Sequence, residues 1–418
     1  MPPHPRIAFV TYAMQCGGME AALLRLGAYL REQGSEVEIL TTIEPGEWFG
    51  RVAEVHMKAR HVAGYDRFTT LAPLLHSLRV RRQLIAGHYD VIFLNHDRHA
   101  QAALARLPEH VIAIPILHND VDEIYEVGCG NQNAWNVAVA VSPKVASRAR
   151  HRVLNRPVVE IPYGVEAPSA AVWENRRQFS TPLELIFIGR LDHTQKGILW
   201  LPEIYRACLD HGIEATLTIV GDGPDAQKLD RKLAQYDLQN TVRRTRGLTP
   251  EQVYGLLLQS HILLMPSYYE GLPIALMESL VCGCVPVVSR LPGITDVMIE
   301  DGKTGMLVDV EHVLGFVEAI ATIYDDPGRW AHMSSAAHEV AQRKYSVEAM
   351  GRSYLDLITD ALNGSYPLPQ ARRHQRALDL SVFSWRNILR DRARHMVRQG
   401  RAWLRGSTTA DSRNGRRS

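Results

Sequence analysis

The chain has 418 residues, of which 46% are hydrophobic and 22% charged, and its formal net charge is +2. This composition excludes a globally disordered protein, and the length suits two domains of roughly 150–200 residues each. The five cysteines have neither the spacing of a disulfide framework nor that of a zinc site. No apolar run reaches the ~20 residues that span a bilayer, and the first, Ile7 to Val10, is too short for a signal peptide. We therefore expect a cytoplasmic protein with reduced thiols.

The first part of the chain alternates short apolar runs with helical patterns. Because these runs are largely apolar and do not alternate with polar residues, they are typical of buried parallel strands. Helices are predicted over 18–33 and 70–86, and strands over 6–10, 36–40, 89–95, 111–116, 136–141 and 157–161. The pattern predicts a Rossmann-like domain over 1–165.

A second alternation of the same kind follows a polar linker over 166–182. Strands are predicted over 183–189, 215–220, 241–244, 261–265, 285–289 and 305–308, and helices over 223–237, 250–259, 274–282 and 311–325. We expect an α/β fold in which a second Rossmann-like domain, over 183–345, faces the first across a cleft. A final amphipathic helix is predicted over 346–362, crossing back to the first domain.

The segment 266–289, PSYYEGLPIALMESLVCGCVPVVS, contains the densest set of candidate ligand-binding residues. Pro266 ends a strand, Gly271 lies in a turn and a helix follows, which is where an open α/β sheet binds ligands. Backbone N–H groups near Gly271, Leu272 and Ile274 would lie beside the positive end of the helix dipole and could receive a diphosphate.

Two carboxylates of this segment, Glu270 and Glu278, lie on the loop and about one turn into the following helix. A carboxylate accepts hydrogen bonds from vicinal hydroxyls, which a sugar and a ribose both offer. The alternative is structural: Glu270 would cap the helix, and Glu278 would be a solvated side chain.

With this spacing the segment resembles the E-x₇-E signature of the retaining glycosyltransferases of family 4, which have the GT-B fold of two Rossmann-like domains. The resemblance implies that Glu270 contacts hydroxyls of the donor sugar and that Glu278 contacts the ribose of the nucleotide. It extends over residues 6–362.

The segment GRLDHTQKG (189–197) resembles the Gly-Arg…Lys-Gly segment of the same family. The resemblance implies that Gly189 lies at the donor site and that Arg190 and Lys196 clamp the diphosphate. Two cations there would neutralise the charge that develops on the departing nucleoside diphosphate.

Two further segments of the second domain resemble the nucleotide-binding parts of the family. GDGPD (221–225) is similar to its Gly-rich loop, which implies that Gly221 lies near the nucleotide, although such a sequence is also an ordinary turn. By the same resemblance, residues Arg246 to Leu248 would frame the base.

In the first domain, MQCGGMEAALLRL (14–26) resembles the Gly-rich first loop of the family, which implies that Gly17 and Gly18 let the backbone approach the donor closely. The segment lacks G-x-G-x-x-G, which argues against a dehydrogenase. By resemblance His118 faces the sugar, while Tyr163 departs from the usual Asn and is interpreted as hinge surface.

Asp120 and Asp122 form a D-x-D, a pattern that binds a metal in a different glycosyltransferase fold. That fold has a single domain, whereas these residues lie in a loop of the first of two domains. We therefore expect neither a metal nor another cofactor, and the nucleotide-sugar would be a substrate.

Residues 371–418 hold 13 Arg, 3 Asp and no Lys or Glu, a net charge of +10, whereas the first 370 residues carry −8. Leu378, Val382, Trp385 and Leu389 recur at helical spacing, which predicts a basic amphipathic helix over 372–405. Such a helix could dock to an anionic membrane surface near a lipid-linked acceptor. Packing on the domains or binding a partner helix are alternatives, and nucleic-acid binding is not expected.

These features predict a retaining glycosyltransferase that moves a hexose-type sugar from a nucleotide-diphosphate-sugar to a hydroxyl of a glycan or glycolipid. The resemblance implies work in cell-surface polysaccharide or lipopolysaccharide biosynthesis, with possible peripheral attachment to the inner face of the cell membrane. It also implies a front-face mechanism in which the leaving diphosphate helps deprotonate the acceptor. Two alternatives stay open: a nucleotide-sugar epimerase of two-Rossmann architecture and a non-catalytic sugar-nucleotide binding subunit.

Overall fold

The computed structural model describes residues 4–15, 17–65, 72–154 and 156–367, together with positions 369, 378, 382 and 383. The described chain folds around two parallel sheets, one of seven strands and one of six. This arrangement confirms the predicted pair of Rossmann-like domains.

The first sheet has the strand order β3-β2-β1-β4-β5-β6-β7. Its strands are β1 (Arg6–Thr11), β2 (Glu36–Thr41), β3 (Lys58–His61), β4 (Val91–Asn95), β5 (Ile112–Leu117), β6 (Ala138–Ala140) and β7 (Val158–Glu160). Strand β1 lies inside the sheet between β2 and β4, and its side chains are almost all buried; Phe9 pairs with Ile39 on one side and Phe93 on the other. The rings of Phe9 and Phe93 stack at 5.0 Å within the core.

The helices of the first domain connect these strands and cover both faces of the sheet. They are α1 (Gly18–Glu32), α2 (Arg51–Glu54), α3 (Ala72–Ala86), α4 (Arg98–Ala103), α5 (Asp122–Gly128) and α6 (Pro143–Arg152). Ser142 caps α6 by accepting a hydrogen bond from the N–H of Val145.

The second sheet has the order β10-β9-β8-β11-β12-β13, with β8 (Leu183–Ile188), β9 (Ala215–Val220), β10 (Val242–Thr245), β11 (Ile262–Met265), β12 (Val285–Ser289) and β13 (Met306–Val308). Its helices are α7 (Ala170–Glu174), α8 (His193–Lys196), α9 (Leu201–Asp210), α10 (Ala226–Gln235), α11 (Pro250–Leu258), α12 (Ile274–Val281), α13 (Thr295–Met298), α14 (Val313–Tyr324) and α15 (Pro327–Tyr345). Chain order reverses between β8 and β11, so the loops after these strands leave a crevice between them.

The last described helix, α16 (Val347–Leu362), packs on the first domain. Ser346 caps it by accepting a hydrogen bond from the N–H of Ala349. The ring of Tyr354 lies 5.5 Å from that of Phe93, edge to face, and Gly351 adjoins the ring of Tyr29. The chain therefore returns to the first domain after it has built the second.

Most of the basic helix predicted over 372–405 lies outside the described residues. Of that segment, Leu378 and Val382 pack against the first domain, and the ring of Phe383 lies 4.9 Å from that of His99. The four cysteines within the described residues are free and buried. None of the helices in the described ranges is both long enough and apolar enough to cross a membrane.

Candidate active site

The crevice of the second sheet is formed by the loops that follow β8 and β11. The two loops are tied together by a backbone hydrogen bond of 2.8 Å from the N–H of Tyr268 to the carbonyl of Gln195. Short helix α8 lies in the first loop, and Asp192 caps it by accepting from the N–H of Thr194. This geometry brings Lys196, at the end of α8, against the loop that carries Glu270.

Lys196 and Glu270 form an ion pair in this crevice. The Nζ of Lys196 lies 2.7 Å from Oε1 and 2.9 Å from Oε2 of Glu270, and Ser267 donates a hydrogen bond of 2.8 Å to Oε1. Glu270 is only 3% exposed, and helix α12 has no side-chain cap. The alternative role of Glu270 as the helix cap is therefore wrong.

Arg190 lies on the same loop as Lys196 but is exposed. It interacts electrostatically with Tyr269, and no described acidic residue lies within ion-pair distance of its guanidinium. The backbone position of Gly189 is close to Lys196, with 3.7 Å from the site of a Cβ to Cε of the lysine. Two cations thus border the crevice, one paired and the other open to solvent.

Glu278, one turn into α12, faces the first domain. Its Oε1 lies 3.0 Å from Nη2 of Arg25 on α1, and both side chains are buried. Burial raises the pKa of the Glu278 carboxyl, and the Arg25 guanidinium opposes that rise. Glu278 is therefore not the solvated side chain that the structural alternative required.

The loop between β11 and α12 fits closely against the first domain. A Cβ on Gly271 would lie 2.4 Å from the carbonyl oxygen of His118, and a Cβ on Gly18 would lie 2.8 Å from Cδ1 of Ile274. Leu272 is buried in the same contact. At Gly271 only glycine lets the two backbones approach this closely, so the loop packs tightly against the first domain.

The Gly17–Gly18 turn begins α1 at the edge of the cleft. Gly17 is the N-cap of the helix and provides no side-chain cap. Glu20 folds back over it, because a Cβ on Gly17 would be 2.6 Å from Oε2 of Glu20. Burial raises the pKa of Glu20 to about 7, against hydrogen bonds from the N–H groups of Glu20 and Gln15.

His118 is held by two side chains of the first domain. Its Nε2 lies 3.0 Å from Oδ1 of Asn95, whose Nδ2 donates to the carbonyl of Val10, and its Nδ1 lies 2.5 Å from the hydroxyl of Tyr163. Nε2 therefore carries the proton and Tyr163 donates to Nδ1. Burial lowers the pKa of His118 to about 3, so the ring is neutral at physiological pH.

Tyr163, interpreted from the sequence as hinge surface, is instead buried against His118. The two rings are nearly parallel, at an interplanar angle of 10°. Tyr163 thus sets the tautomer and the orientation of His118. The contact of His118 with a sugar stays a prediction.

A cavity of about 670 Å³ opens beside the crevice, beyond the ends of β9 and β10. Gly221 and Arg246 line it, and Arg246 forms an exposed ion pair of 3.2 Å with Asp222. Leu248 is half-buried and packs towards the interdomain core. The other lining residues are Gly223, Pro224, Ala226, Gln227, Asp230, Arg244 and Thr245.

Asp120 and Asp122 form ion pairs with lysine and arginine side chains of the first domain. Asp120 lies 2.9 Å from Nη1 of Arg148 and 3.1 Å from Nζ of Lys144, and Asp122 lies 2.6 Å from Arg148 and from Arg152. Within the described ranges, no group of three or more His, Cys, Asp or Glu side chains is arranged to hold a metal ion.

A family model described as glycosyl transferases group 1 matches residues 172–340, the part of the chain that contains the crevice. Residues 172–340 are therefore similar to the group 1 glycosyl transferases, and the protein is a glycosyltransferase. The match covers Arg190, Lys196, Glu270 and Glu278, which the two loops and α12 bring to one side of the second sheet.

Curated relatives and solved structures agree with this assignment. The lipopolysaccharide core biosynthesis glycosyltransferase LpsD of Rhizobium meliloti (strain 1021) is 27% identical over 346 residues, 82% of this chain and 94% of LpsD. The putative colanic acid biosynthesis glycosyltransferase WcaL of Escherichia coli (strain K12) is 27% identical over 186 residues, 43% of this chain and 45% of WcaL. Anabaena HepE, solved with UDP and glucose, superposes with a TM-score of 0.70 at 16% identity, over 85% of this chain and 100% of that chain. The predicted GT-B fold is confirmed.

Three residues that border the cleft of this glycosyltransferase were not predicted from the sequence: Glu20, Arg25 and Tyr254. A Glu in the first turn of a helix is ordinarily explained by the helix dipole, and an Arg two turns in by solvation. Their positions at the cleft depend on how the domains pack, which a single sequence does not encode in a local pattern.

Proposed function

We propose that this glycosyltransferase moves a hexose-type sugar from a nucleotide-diphosphate-sugar to a hydroxyl of a glycan or glycolipid, with retention of configuration at the anomeric carbon. The observation that supports it most is the Lys196–Glu270 pair at the switch point of the second sheet. At this point a lysine that can bind a diphosphate lies next to a carboxylate that can accept hydrogen bonds from sugar hydroxyls.

Donor binding would separate this ion pair. The diphosphate would take Lys196 and the exposed Arg190, with the N–H groups of the loop before α12 nearby. Glu270, kept in place by Ser267, would then accept hydrogen bonds from hydroxyls of the sugar. Until then, the ion pair with Lys196 and the hydrogen bond from Ser267 keep the Glu270 carboxylate in position.

In the transfer step, the bond between the anomeric carbon and the diphosphate oxygen breaks. The acceptor hydroxyl oxygen bonds to the same face of that carbon, and its proton passes to the departing diphosphate. Lys196 and Arg190 would stabilise the charge that develops on the leaving group. The chain's contribution is therefore positioning and electrostatic stabilisation.

The acceptor would approach from the first domain, where Glu20 and the neutral His118 border the cleft. LpsD and WcaL are named for lipopolysaccharide core and colanic acid biosynthesis. These names support an acceptor in cell-surface polysaccharide or lipopolysaccharide synthesis, on the cytoplasmic face of the membrane.

Transfer would need no metal ion. Asp120 and Asp122, the D-x-D of the sequence, already pair with Lys144, Arg148 and Arg152, which leaves them poorly suited to attract a cation. EDTA treatment should leave the transfer rate unchanged. A loss that Mg²⁺ or Mn²⁺ restores would contradict metal independence.

The Arg-rich segment 372–405 would bring the enzyme to an anionic membrane surface. The net charge of +10 over residues 371–418 supports this role. Leu378 and Val382 pack on the first domain, so the apolar contribution to membrane binding would come from later positions such as Trp385 and Leu389. In co-sedimentation with phosphatidylglycerol vesicles, a chain ending at residue 365 should bind less than the full chain. Equal binding would exclude this role.

The experiment that tests the function combines binding and turnover. Thermal-shift measurements with UDP-, GDP-, ADP- and dTDP-sugars should identify one donor class, since a ligand that binds only the native state raises its stability with concentration. With that donor, nucleoside diphosphate should be released only when a glycan acceptor is present, and NMR should show a retained anomer. Conversion of the donor without an acceptor, or no stabilisation by any donor, would refute the proposal.

A further inference from the structure

Helices α1 and α12 face each other across the cleft and meet at two levels. At the first, Gly18 lies against Ile274, the first residues of the two helices. At the second, two turns along α1 and one turn along α12, Nη2 of Arg25 lies 3.0 Å from Oε1 of Glu278. These spacings return to the same helix face, so the two contacts lie along one line between the domains.

The Arg25–Glu278 contact is buried and incomplete. Arg25 is 8% exposed and Glu278 is 9% exposed, yet a single hydrogen bond joins them, where an arginine can bind a carboxylate through two. Nη1 of Arg25 and the hydroxyl of Tyr254, on α11, are buried without a hydrogen-bond partner among the described residues. Both groups interact electrostatically with each other and with Glu278. Buried polar groups that stay unpaired are costly, which suggests that a ligand completes them.

We propose that Arg25 and Tyr254 complete a ribose site around Glu278, with Arg25 reaching across from the first domain to position the carboxylate and to close the cleft on the nucleotide. This inference rests on the proposed function and on the contact between Glu278 and the donor ribose that the family resemblance implies.

The hydroxyls of a ribose can form the hydrogen bonds that these buried groups lack. Its 2′- and 3′-hydroxyls donate to the carboxylate of Glu278, and their oxygens accept from Nη1 of Arg25 and from the Tyr254 hydroxyl. Arg25 is therefore a positioning residue for Glu278 as well as a contact for the nucleotide. Closure follows, because the group that completes the site belongs to the opposite domain.

A second ion pair between the domains provides a matched control. Nη2 of Arg51 lies 3.9 Å from Glu251, whose side chain is 74% exposed. An exposed pair at this distance contributes little. Arg51→Gln therefore removes an interdomain cation without touching the ribose site.

Isothermal titration with UDP, GDP and ADP tests the inference, with the tightest of the three used for all variants. Arg25→Gln should weaken binding about 10-fold, whereas Arg51→Gln should change it less than about 2-fold. In a Glu278→Gln background, Arg25→Gln should cost less than it does in the parent, because its partner has already been neutralised and only its own contact with the ribose remains. Arg25→Lys keeps the positive charge but loses the planar guanidinium, so it should recover part of the affinity that Arg25→Gln loses.

The outcomes separate this inference from the function on which it rests. If Glu278→Gln leaves nucleotide affinity unchanged, the ribose role of Glu278 and this inference both fail, whereas the proposed function fails if none of the three nucleotides binds the parent. If Glu278→Gln weakens binding but Arg25→Gln has no effect, tightens binding, or costs the same in both backgrounds, only the role of Arg25 is overturned.

A milder substitution tests the same site in case the charge variants fold poorly. Tyr254→Phe removes a single oxygen and should weaken binding of the ribonucleotide about 3-fold. With the 2′-deoxynucleotide, which lacks one of the hydroxyls, the effect of Tyr254→Phe or Arg25→Gln should shrink. Equal losses with both nucleotides would show that neither residue acts at the 2′-hydroxyl, and no loss with either would overturn the ribose site.

Discussion

The two domains build their sides of the cleft from different kinds of groups. The second domain presents ions: Lys196 paired with Glu270, and an exposed Arg190. The first domain presents a chain of neutral hydrogen bonds through His118 and Tyr163. The difference matches the chemistry on each side, because charge develops on a departing diphosphate, whereas an acceptor hydroxyl has only to be oriented.

Lys196→Ala is the strongest test of the ionic half of the cleft, the side that the second domain forms. The variant removes a cation that would stabilise the leaving diphosphate, so we expect the transfer rate to fall by about 10²–10³. Lys303→Ala is the control, because Lys303 also pairs with a glutamate of the second domain, Glu300, in the turn before β13, at the opposite end of the strands from the crevice. Nucleotide release assays on folded protein should separate the two. A Lys196→Ala rate within about threefold of the parent would contradict the donor site.

Glu20 is a titratable group on the first-domain side of the cleft, and its effect should appear in the stability of the protein. Its pKa is raised from 4.5 to about 7 in the folded protein, so the folded state holds the proton more tightly than the unfolded state. The stability that this gives is present below pH 4.5 and is lost as the pH rises towards 7, by up to about 3 kcal/mol.

Glu20→Gln should remove this loss. Urea denaturation at pH 5 and pH 8 should show a smaller fall in the free energy of unfolding for the variant than for the parent. Equal falls would mean that the carboxyl has an ordinary pKa.

Deleting one hydroxyl on each side sharpens the comparison. On the neutral side, Tyr163→Phe removes the donor to Nδ1 of His118, a loss of about 1 kcal/mol or roughly fivefold in rate. Nucleoside diphosphate affinity should stay within about twofold, because the nucleotide lies on the other domain. Equal losses of nucleotide affinity and rate would show that the two sides are not separate.

On the ionic side, Ser267→Ala removes the hydrogen bond to Oε1 of Glu270. The ion pair with Lys196 remains, so the effect should be the smallest, about threefold in kcat/KM. It should appear as weaker binding of the nucleotide-sugar, measured by titration calorimetry. A change confined to acceptor KM would place Ser267 on the wrong side of the cleft.

The sequence predicted the ionic half better than the neutral half for a physical reason. Apolar runs reveal buried parallel strands, and charged residues directly after such runs stand out at the sheet edge, as Lys196 and Glu270 do. Glu20, Arg25 and Tyr254 lie inside helices, where a polar residue usually faces solvent. Only the packing of α1 and α11 against α12 turns them towards the cleft.

Several elements were not predicted from the sequence, among them strand β3 and helix α15. Strand β3 has the residues KARH, and it pairs with β2 at the edge of the sheet, so it needs no apolar run. Helix α15 carries a readable signal, with buried Trp330, Met333, Ala337 and Ala341 at helical spacing. The position of β3 at the edge of the sheet, rather than an apolar sequence pattern, explains why it forms a strand.

The central claim is that Glu270 binds the sugar and Lys196 the diphosphate, and one calorimetric comparison tests it most directly. Binding of the nucleotide-sugar and of the matching nucleoside diphosphate is measured for the parent, Glu270→Gln and Lys196→Ala. Glu270→Gln should weaken only the nucleotide-sugar, since the freed lysine still binds the diphosphate, while Lys196→Ala should weaken both. Equal weakening of both ligands by Glu270→Gln, or no weakening by either variant, would contradict the account.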